Sequence, residues 1–119
     1  NFKHKVEFEI SYLPALSKNK RYAFYSAKVK NKEHLQTQEL ISISFKKALA
    51  GREIKKQKLK VSYIWYRPNM RGDASNFVNP INDAIKACLD FDDNWFYGGY
   101  DWELDKENPR IVITVEWEN

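Results

Sequence analysis

The sequence has little cysteine and no long apolar run, and each absence limits the class of protein that it can encode. Cys88 is the only cysteine, so no internal disulfide framework can form, and a single thiol fits a reducing compartment. No apolar segment approaches the roughly 20 residues that a membrane-spanning helix needs, and the first residues lack the apolar segment of a signal peptide. We therefore expect a soluble, cytoplasmic protein with no membrane partner.

Acidic residues are scarce in the first half of the chain, and basic residues are scarce in the second. Residues 1–60 contain fifteen Lys or Arg against five Asp or Glu, whereas residues 61–119 contain five against eleven. One half suits a polyanion and the other a cation, which is the combination that a metal-dependent nuclease needs. The alternative is a mixed surface whose halves neutralise each other on folding. A chain of 119 residues predicts one domain, residues 1–119, around one core.

Hydrophobic periodicity predicts an α+β fold in which a mixed or antiparallel sheet is flanked by two helices. Apolar and polar residues alternate from Phe2 to Tyr12, as in a half-buried strand. A first helix should begin near Asn31 and end at Gly51, since glycine can take a positive φ. A second should have Asn76 as its N-cap, which puts Pro80 at the end of its first turn. The remaining predicted strands are residues 59–66, 94–97, 100–105 and 111–118.

Two basic segments are candidates for contact with nucleic acid. Residues 17–25 form a predicted loop in which Lys18, Lys20 and Arg21 are interleaved with aromatic residues, so that cations could neutralise phosphates while rings stack on bases. The alternative is a solvated loop whose rings pack on the core. Residues 52–60 form a basic connector, which is typical of a solvated surface but could also face a nucleic-acid backbone.

Carboxylates lie at both ends of the second predicted helix. Asp73 stands just before it, and Asp92 and Asp93 stand in the turn after it. Acids gathered at the ends of regular elements can bind a divalent cation, and a neighbouring strand of the same sheet could bring Asp93 back to Asp73. Taken alone, each piece is equally typical of a polar turn or an ordinary helix end.

Taken together and in order, these residues resemble the RusA-like Holliday-junction resolvases and related phage endodeoxyribonucleases. That family has a proline-rich loop with an Asn, then a strand, a proline and basic run, a D-x-D-N helix entry, a D-A-L and an acidic pair. Two positions depart from the pattern, because Ser75 replaces the second Asp of D-x-D-N and Asn79 replaces the helix lysine. The matching residues are Leu13-Pro14 with Ser17 and Asn19, Pro68-Asn69-Met70-Arg71-Gly72, Asp73, Asn76, Asp83-Ala84-Ile85 and Asp92-Asp93.

The resemblance implies a Mg²⁺-dependent, structure-selective endodeoxyribonuclease of DNA recombination and repair, of phage or prophage type. Asp73 and Asp93 would hold the metal with Asp92 supporting, while Ser75 would be a weaker neutral ligand and Asn79 would stand in the position of the family's lysine. Mg²⁺ can be held by one or two carboxylates plus substrate phosphate, so a reduced site can still work. No small-molecule cofactor is expected.

The resemblance also implies a homodimer on branched DNA, because a four-way junction presents two symmetric cleavage points. The expected DNA contacts are Lys18, Asn19, Lys20, Arg21, Arg71 and Asn76. One alternative is a RusA-like protein that grips branched DNA without cutting it, since Ser75 and Asn79 replace the family's Asp and Lys. Another is an unrelated small α+β interaction module.

Overall fold

The computed structural model describes residues 2–11 and 27–119, and the side chains of these residues except 27–35, 75 and 76. This part of the chain has the predicted α+β architecture, with two helices and a five-stranded mixed sheet. None of its helices is both long and apolar enough to cross a membrane. The elements in chain order are β1 (His4–Ser11), α1 (Ala27–Leu49), β2 (Leu59–Arg67), α2 (Ser75–Lys86), a 3₁₀ turn (Asp93–Trp95), β3 (Phe96–Tyr97), β4 (Tyr100–Leu104) and β5 (Arg110–Trp117).

The order of strands in the sheet fixes which ends of the elements meet. β5 lies between β1 and β2 and is antiparallel to both. β3 and β4 follow one another along the far side of β2 and are both parallel to it. A parallel neighbour requires a crossover connection, and α2 supplies it between β2 and β3. Because β3 runs in the same direction as β2, it begins at the end of the sheet where α2 finishes.

Both helices pack on one face of the sheet because the strands alternate apolar and polar residues. In the register of the sheet, Val6, Val61 and Val115 face the helices together. Aromatic contacts between sheet and helices include Phe8 against Phe45 of α1, and Tyr63 and Trp65 of β2 against Phe77 of α2. The other fully or nearly buried apolar residues include Ile10, Ile41, Leu49, Leu59, Tyr63, Ile81, Ala84, Ile85, Ile111, Ile113 and Trp117.

The helix ends differ from the sequence-based expectation in two places. α1 begins at Ala27 instead of near Asn31. The prediction that Asn76 is the N-cap of α2 is wrong, because Ala74 holds that position and makes no side-chain cap hydrogen bond. Buried Ala74 and Phe77 belong to the core, so packing decides where the helix begins. Pro80 consequently lies inside the helix, where it offers no N–H to the carbonyl four residues earlier.

The end of α1 offers a test of local backbone strain. Gly51 has the predicted positive φ of 86°, but Ala50 before it also has a positive φ, of 52°. A left-handed conformation is unfavourable for alanine and costs glycine little. We expect Ala50→Gly to raise the free energy of unfolding by about 0.5–1 kcal/mol. Urea denaturation checks this, with Ala48→Gly as the control that should lower stability inside the helix; a loss of stability in Ala50→Gly would contradict the prediction.

Candidate nucleic-acid interface and acidic pair

A buried arginine at the end of β2 organises the loop that leads to α2. Arg67 is only 6% exposed, and its guanidinium lies over the rings of Trp65 at 4.1 Å and of Trp102 at 5.2 Å. Its Nε donates to the carbonyl of Asn69 at 2.7 Å, and its Nη2 donates to the carbonyls of Gly72 at 3.0 Å and Arg71 at 3.3 Å. The arginine therefore fixes the conformation of the loop 69–72 through hydrogen bonds to its carbonyl groups.

Asp73 leaves this loop at the start of α2, and its side chain is exposed. Gly72 before it takes a φ of 78°, a conformation that favours glycine. Arg71, a predicted DNA contact, is also exposed, and so is Asn79 one turn into the helix. The structure thus puts three of the predicted site residues near the N-terminal end of α2. Ser75 and Asn76 lie in the first turn, but their side chains are outside the described part of the chain.

Asp92 and Asp93 form an acidic pair beyond the other end of α2. Asp92 Oδ1 accepts from the backbone N–H of Asp93 at 2.8 Å and lies 3.4 Å from Lys86 Nζ. The backbone hydrogen bond from Asp93 and the nearby Lys86 ammonium hold the pKa of Asp92 below its usual value. Partial burial and the neighbouring Asp92 carboxylate raise the pKa of Asp93. The pKa of Lys86 is raised by its contact with Asp92.

The pH dependence of this pair follows from those directions. A raised pKa means that Asp93 favours folding below its ordinary pKa, and this contribution is lost as the pH rises through the raised value. Asp92 has the opposite sign, because its contribution is present above its ordinary pKa and is lost as the pH falls through the lowered value. We expect NMR titration of the side-chain carboxyl carbons to give two separated steps, the upper one at Asp93. Coincident titration at ordinary values would contradict the pairing.

The structure does not bring Asp73 and Asp93 together within one chain. Asp73 precedes the first residue of α2, whereas Asp92 contacts Lys86, the last. Twelve helical residues rise about 18 Å, and Mg²⁺ holds its ligands at about 2.1 Å, so one ion cannot join the two ends. Among the described residues, no group of three or more His, Cys, Asp or Glu side chains is placed to hold a metal ion. A single chain therefore does not assemble a metal site with both Asp73 and Asp93 as ligands. Such a site remains a prediction, and it would need a second chain.

Three lysine–aromatic pairs form a row, and two of the three rings follow the acidic pair closely in sequence. Lys56 Nζ lies 5.3 Å from the centre of the Trp95 ring, Lys58 Nζ lies 4.9 Å from Tyr97, and Lys60 Nζ lies 5.7 Å from Phe2. We call these six residues the lysine–aromatic row. Lys58 and Lys60 are two residues apart at the start of β2, so they share a face, and Lys56 precedes them in a bend. The parallel register Leu59 to Phe96 and Lys60 to Tyr97 brings Trp95 and Tyr97 beside them, whereas Phe2 comes from the segment before β1.

A shallow groove runs along one side of the row. Its volume is about 340 Å³, and its lining includes Lys58 and two rings of the row, those of Phe2 and Tyr97. Gln57 fixes another wall, because its side chain donates to the carbonyl of Asn119 at 2.9 Å and accepts from the N–H groups of Glu118 and Asn119. Glu118 also lines the groove, and Glu116 lies opposite Lys60 in the sheet, so part of the positive charge is offset.

Sequence reasoning had identified the basic connector but not its aromatic partners. Trp95 belongs to the same 3₁₀ turn as Asp93, so one ring of the row follows the acidic pair directly in the chain. The signal in the sequence was the spacing of Lys56, Lys58 and Lys60, which places three cations on one side of an extended chain. Their rings come from segments far away in sequence, so the spacing alone could not reveal the pairs. The predicted contacts Lys18, Asn19, Lys20 and Arg21 lie outside the described residues.

No protein-family model matches this chain, and no curated protein matches it significantly. The RusA-like resemblance therefore depends on the motif residues in the sequence and stays a prediction. The fold class itself is established by the two helices and the mixed sheet.

Proposed function

We propose that this chain binds nucleic acid through the lysine–aromatic row. Its ligand is branched DNA, and the described part of one chain alone has no complete site for cleaving it. The observation that carries the proposal is the pairing of three lysines with three rings at one end of the sheet, near the starts of β1, β2 and β3. Ammonium groups attract phosphates, and exposed rings offer stacking surfaces to unpaired bases. In the open form of a four-way junction the base pairs at the branch point expose one stacking face, and the choice of branched DNA itself comes from the RusA-like resemblance.

The exposure of the row supports this function over a purely structural one. Trp95 and Tyr97 are 38% and 41% exposed, so much of each ring remains accessible despite its lysine. An exposed cation–π pair contributes about 0.5–1 kcal/mol, which a base or phosphate can outweigh, since base stacking on an aromatic ring contributes about 1–3 kcal/mol. The lysines can therefore move to phosphates while the rings accept bases.

The test is binding of fluorescein-labelled DNA followed by anisotropy, with a four-way junction, a duplex and a single strand of matched length. We expect the junction and the single strand to bind more tightly than the duplex at moderate salt. The variant Trp95→Ala with Tyr97→Ala should weaken junction binding by about 10-fold or more, since each stacked base contributes about 1–3 kcal/mol. Tyr100→Ala is the control, because Tyr100 is exposed on β4 outside the row.

Absence of DNA binding at moderate salt would contradict the proposal and favour an unrelated interaction module. Equal losses in the double variant and in Tyr100→Ala would show that the exposed rings of the row have no special part. Preferential binding to duplex would contradict the role of exposed bases.

A second candidate function is Mg²⁺-dependent cleavage of branched DNA at the acidic pair. The observation that favours it is the pair itself, because a carboxyl with a raised pKa beside a second carboxylate is a site where a bound cation would replace a proton. Asp92 and Asp93 with a substrate phosphate could hold one Mg²⁺, which would activate water for attack on phosphorus. Asp73 lies at the other end of α2 and would take part only from a second subunit.

Cleavage of a labelled junction with Mg²⁺ or Mn²⁺ distinguishes the two candidates. Metal-stimulated cutting that Asp93→Asn abolishes would establish the nuclease, and cutting that survives Asp73→Asn would place the site at the acidic pair alone. Binding without cutting in both metals would support the first candidate. A separate readout is the NMR titration of Asp93, whose upper step should move to lower pH on addition of Mg²⁺ if the pair binds the ion.

A further inference from the structure

β4 forms an edge of the sheet whose outer side pairs with nothing in the described ranges. Its inner side is fixed by the hydrogen bonds from Tyr63 N to Gly99 O and from Asp105 N to Arg67 O. In a parallel ladder alternate residues turn their backbone groups to the same neighbour, so the odd-numbered residues of β4 face β2. Tyr100, Trp102 and Leu104 therefore point their N–H and C=O groups away from the sheet.

The side chains of these residues form an apolar strip on the helix side of the sheet. Tyr100, Trp102 and Leu104 are 55%, 40% and 55% exposed, which is unusual for large apolar residues on one face of a strand. The guanidinium of Arg67 lies 5.2 Å from the centre of the Trp102 ring and contacts the middle of the strip. Asp101 and Glu103 alternate with them and are exposed on the opposite face.

Charge decides what kind of strand can pair with this edge. In a symmetric antiparallel pairing of two β4 strands, facing residues lie on the same face, so the acids of one copy face the acids of the other at about 5 Å. Like charges directly opposite one another are destabilising. A partner strand with Lys or Arg at alternate positions would instead place cations opposite Asp101 and Glu103.

We propose that the outer edge of β4 is a docking site for an extended segment of another protein in which apolar residues alternate with Lys or Arg. The segment adds a strand to the sheet through the backbone groups of Tyr100, Trp102 and Leu104. Its apolar side chains cover the strip, and its cations face Asp101 and Glu103. The proposal is independent of the nucleic-acid function.

One contact at the edge changes when the segment binds. The Asp101 carboxylate accepts a hydrogen bond from the backbone N–H of Trp102 at 2.7 Å, so it covers an outward-facing donor. A carboxylate at an edge protects an unpaired strand against indiscriminate pairing. A basic residue of the incoming strand gives this carboxylate a new partner and frees the N–H for the carbonyl of that strand.

The probe is a fluorescein-labelled synthetic peptide, acetyl-Val-Lys-Val-Lys-Val-Lys-Val-amide, whose binding to the whole chain is followed by anisotropy. We expect saturable binding that Leu104→Pro abolishes and Leu104→Ala weakens less. Proline removes the outward N–H of an exposed edge residue, a position where it is tolerated in folded sheets. The charge variant Asp101→Asn with Glu103→Gln should bind about tenfold more weakly. Its matched control is Glu7→Gln with Glu9→Gln, which removes two acids from β1, the other edge strand.

Three results would overturn the proposal. Equal binding of a Val-Glu peptide, or of a peptide with the same residues in separate Lys and Val blocks, would show that alternation and charge do not matter. Equal losses in the two charge variants would show general electrostatic attraction. Concentration-dependent dimerisation in sedimentation, lost in Leu104→Pro, would assign the edge to a second copy of the chain. Circular dichroism of Leu104→Pro verifies that the variant folds.

Discussion

Gly98→Ala is expected to lower the free energy of unfolding by about 3 kcal/mol or more, because the backbone there leaves no room for a side chain. Gly98 has a φ of 133°, a conformation that L residues rarely adopt. A Cβ added to it would lie 2.2 Å from the carbonyl oxygen of Val61 and 2.9 Å from its carbonyl carbon. Since both neighbours are backbone atoms of β2, the substitution can be accommodated only by moving β3 or β4 away.

Gly99→Ala is the matched control. A Cβ at Gly99 meets nothing within 4 Å, so this variant should stay within about 1 kcal/mol of the unchanged chain. Urea denaturation of both variants gives the comparison. If Gly98→Ala and Gly99→Ala had the same stability, the close approach of Gly98 to β2 would be refuted, and with it the register that brings Tyr97 beside Lys58.

Arg67→Met is expected to cost about 3 kcal/mol and to loosen the loop before α2. The substitution removes donors to the Asn69 and Gly72 carbonyls, and the cation from between the rings of Trp65 and Trp102. Loss of a hydrogen bond from a charged group costs about 1.5–3 kcal/mol, and two of the carbonyls lose such a donor. Methionine keeps much of the apolar volume, so the loss reports the guanidinium more than the packing.

The control for this variant is Arg71→Met, which changes an exposed arginine of the same loop and should alter stability by about 0.5 kcal/mol or less. Thermal unfolding measures the two variants. Amide hydrogen exchange at residues 69–73 gives a local readout, because only the Arg67 variant should increase exchange there. Equal effects of the two substitutions would contradict the anchoring role of Arg67.

Local patterns in the sequence were enough to predict the fold class. Apolar residues alternate with polar ones in β1 and β5, and Phe77, Ile81 and Ile85 have helical spacing. Both patterns mark the face that packs on the core, and the apolar residues in them are buried. Gly51 ends α1 with a positive φ as predicted. The start of α2 was misplaced because packing of Ala74 and Phe77 outweighs the capping preference of Asn76.

The functional residues were harder to predict because their arrangement depends on strand direction and on distant contacts. A neighbouring strand was expected to return Asp93 to Asp73, but β3 runs parallel to β2 and so begins at the far end of α2. The sequence of a two-residue strand does not indicate whether the strand pairs parallel or antiparallel. The buried state of Arg67 and the rings beside Lys56 and Lys58 also come from tertiary packing.

The measurement that tests the central claim most directly is the salt dependence of junction binding in a variant with Lys56, Lys58 and Lys60 each changed to Gln. The logarithm of the binding constant falls with the logarithm of salt concentration by about 0.7–0.9 per neutralised phosphate, so this slope should become shallower by about 2–3. The control changes Lys46, Lys47 and Lys106, three exposed lysines outside the row, to Gln. The account predicts that the control keeps its slope, whereas an equal change in both variants, or in neither, would contradict it.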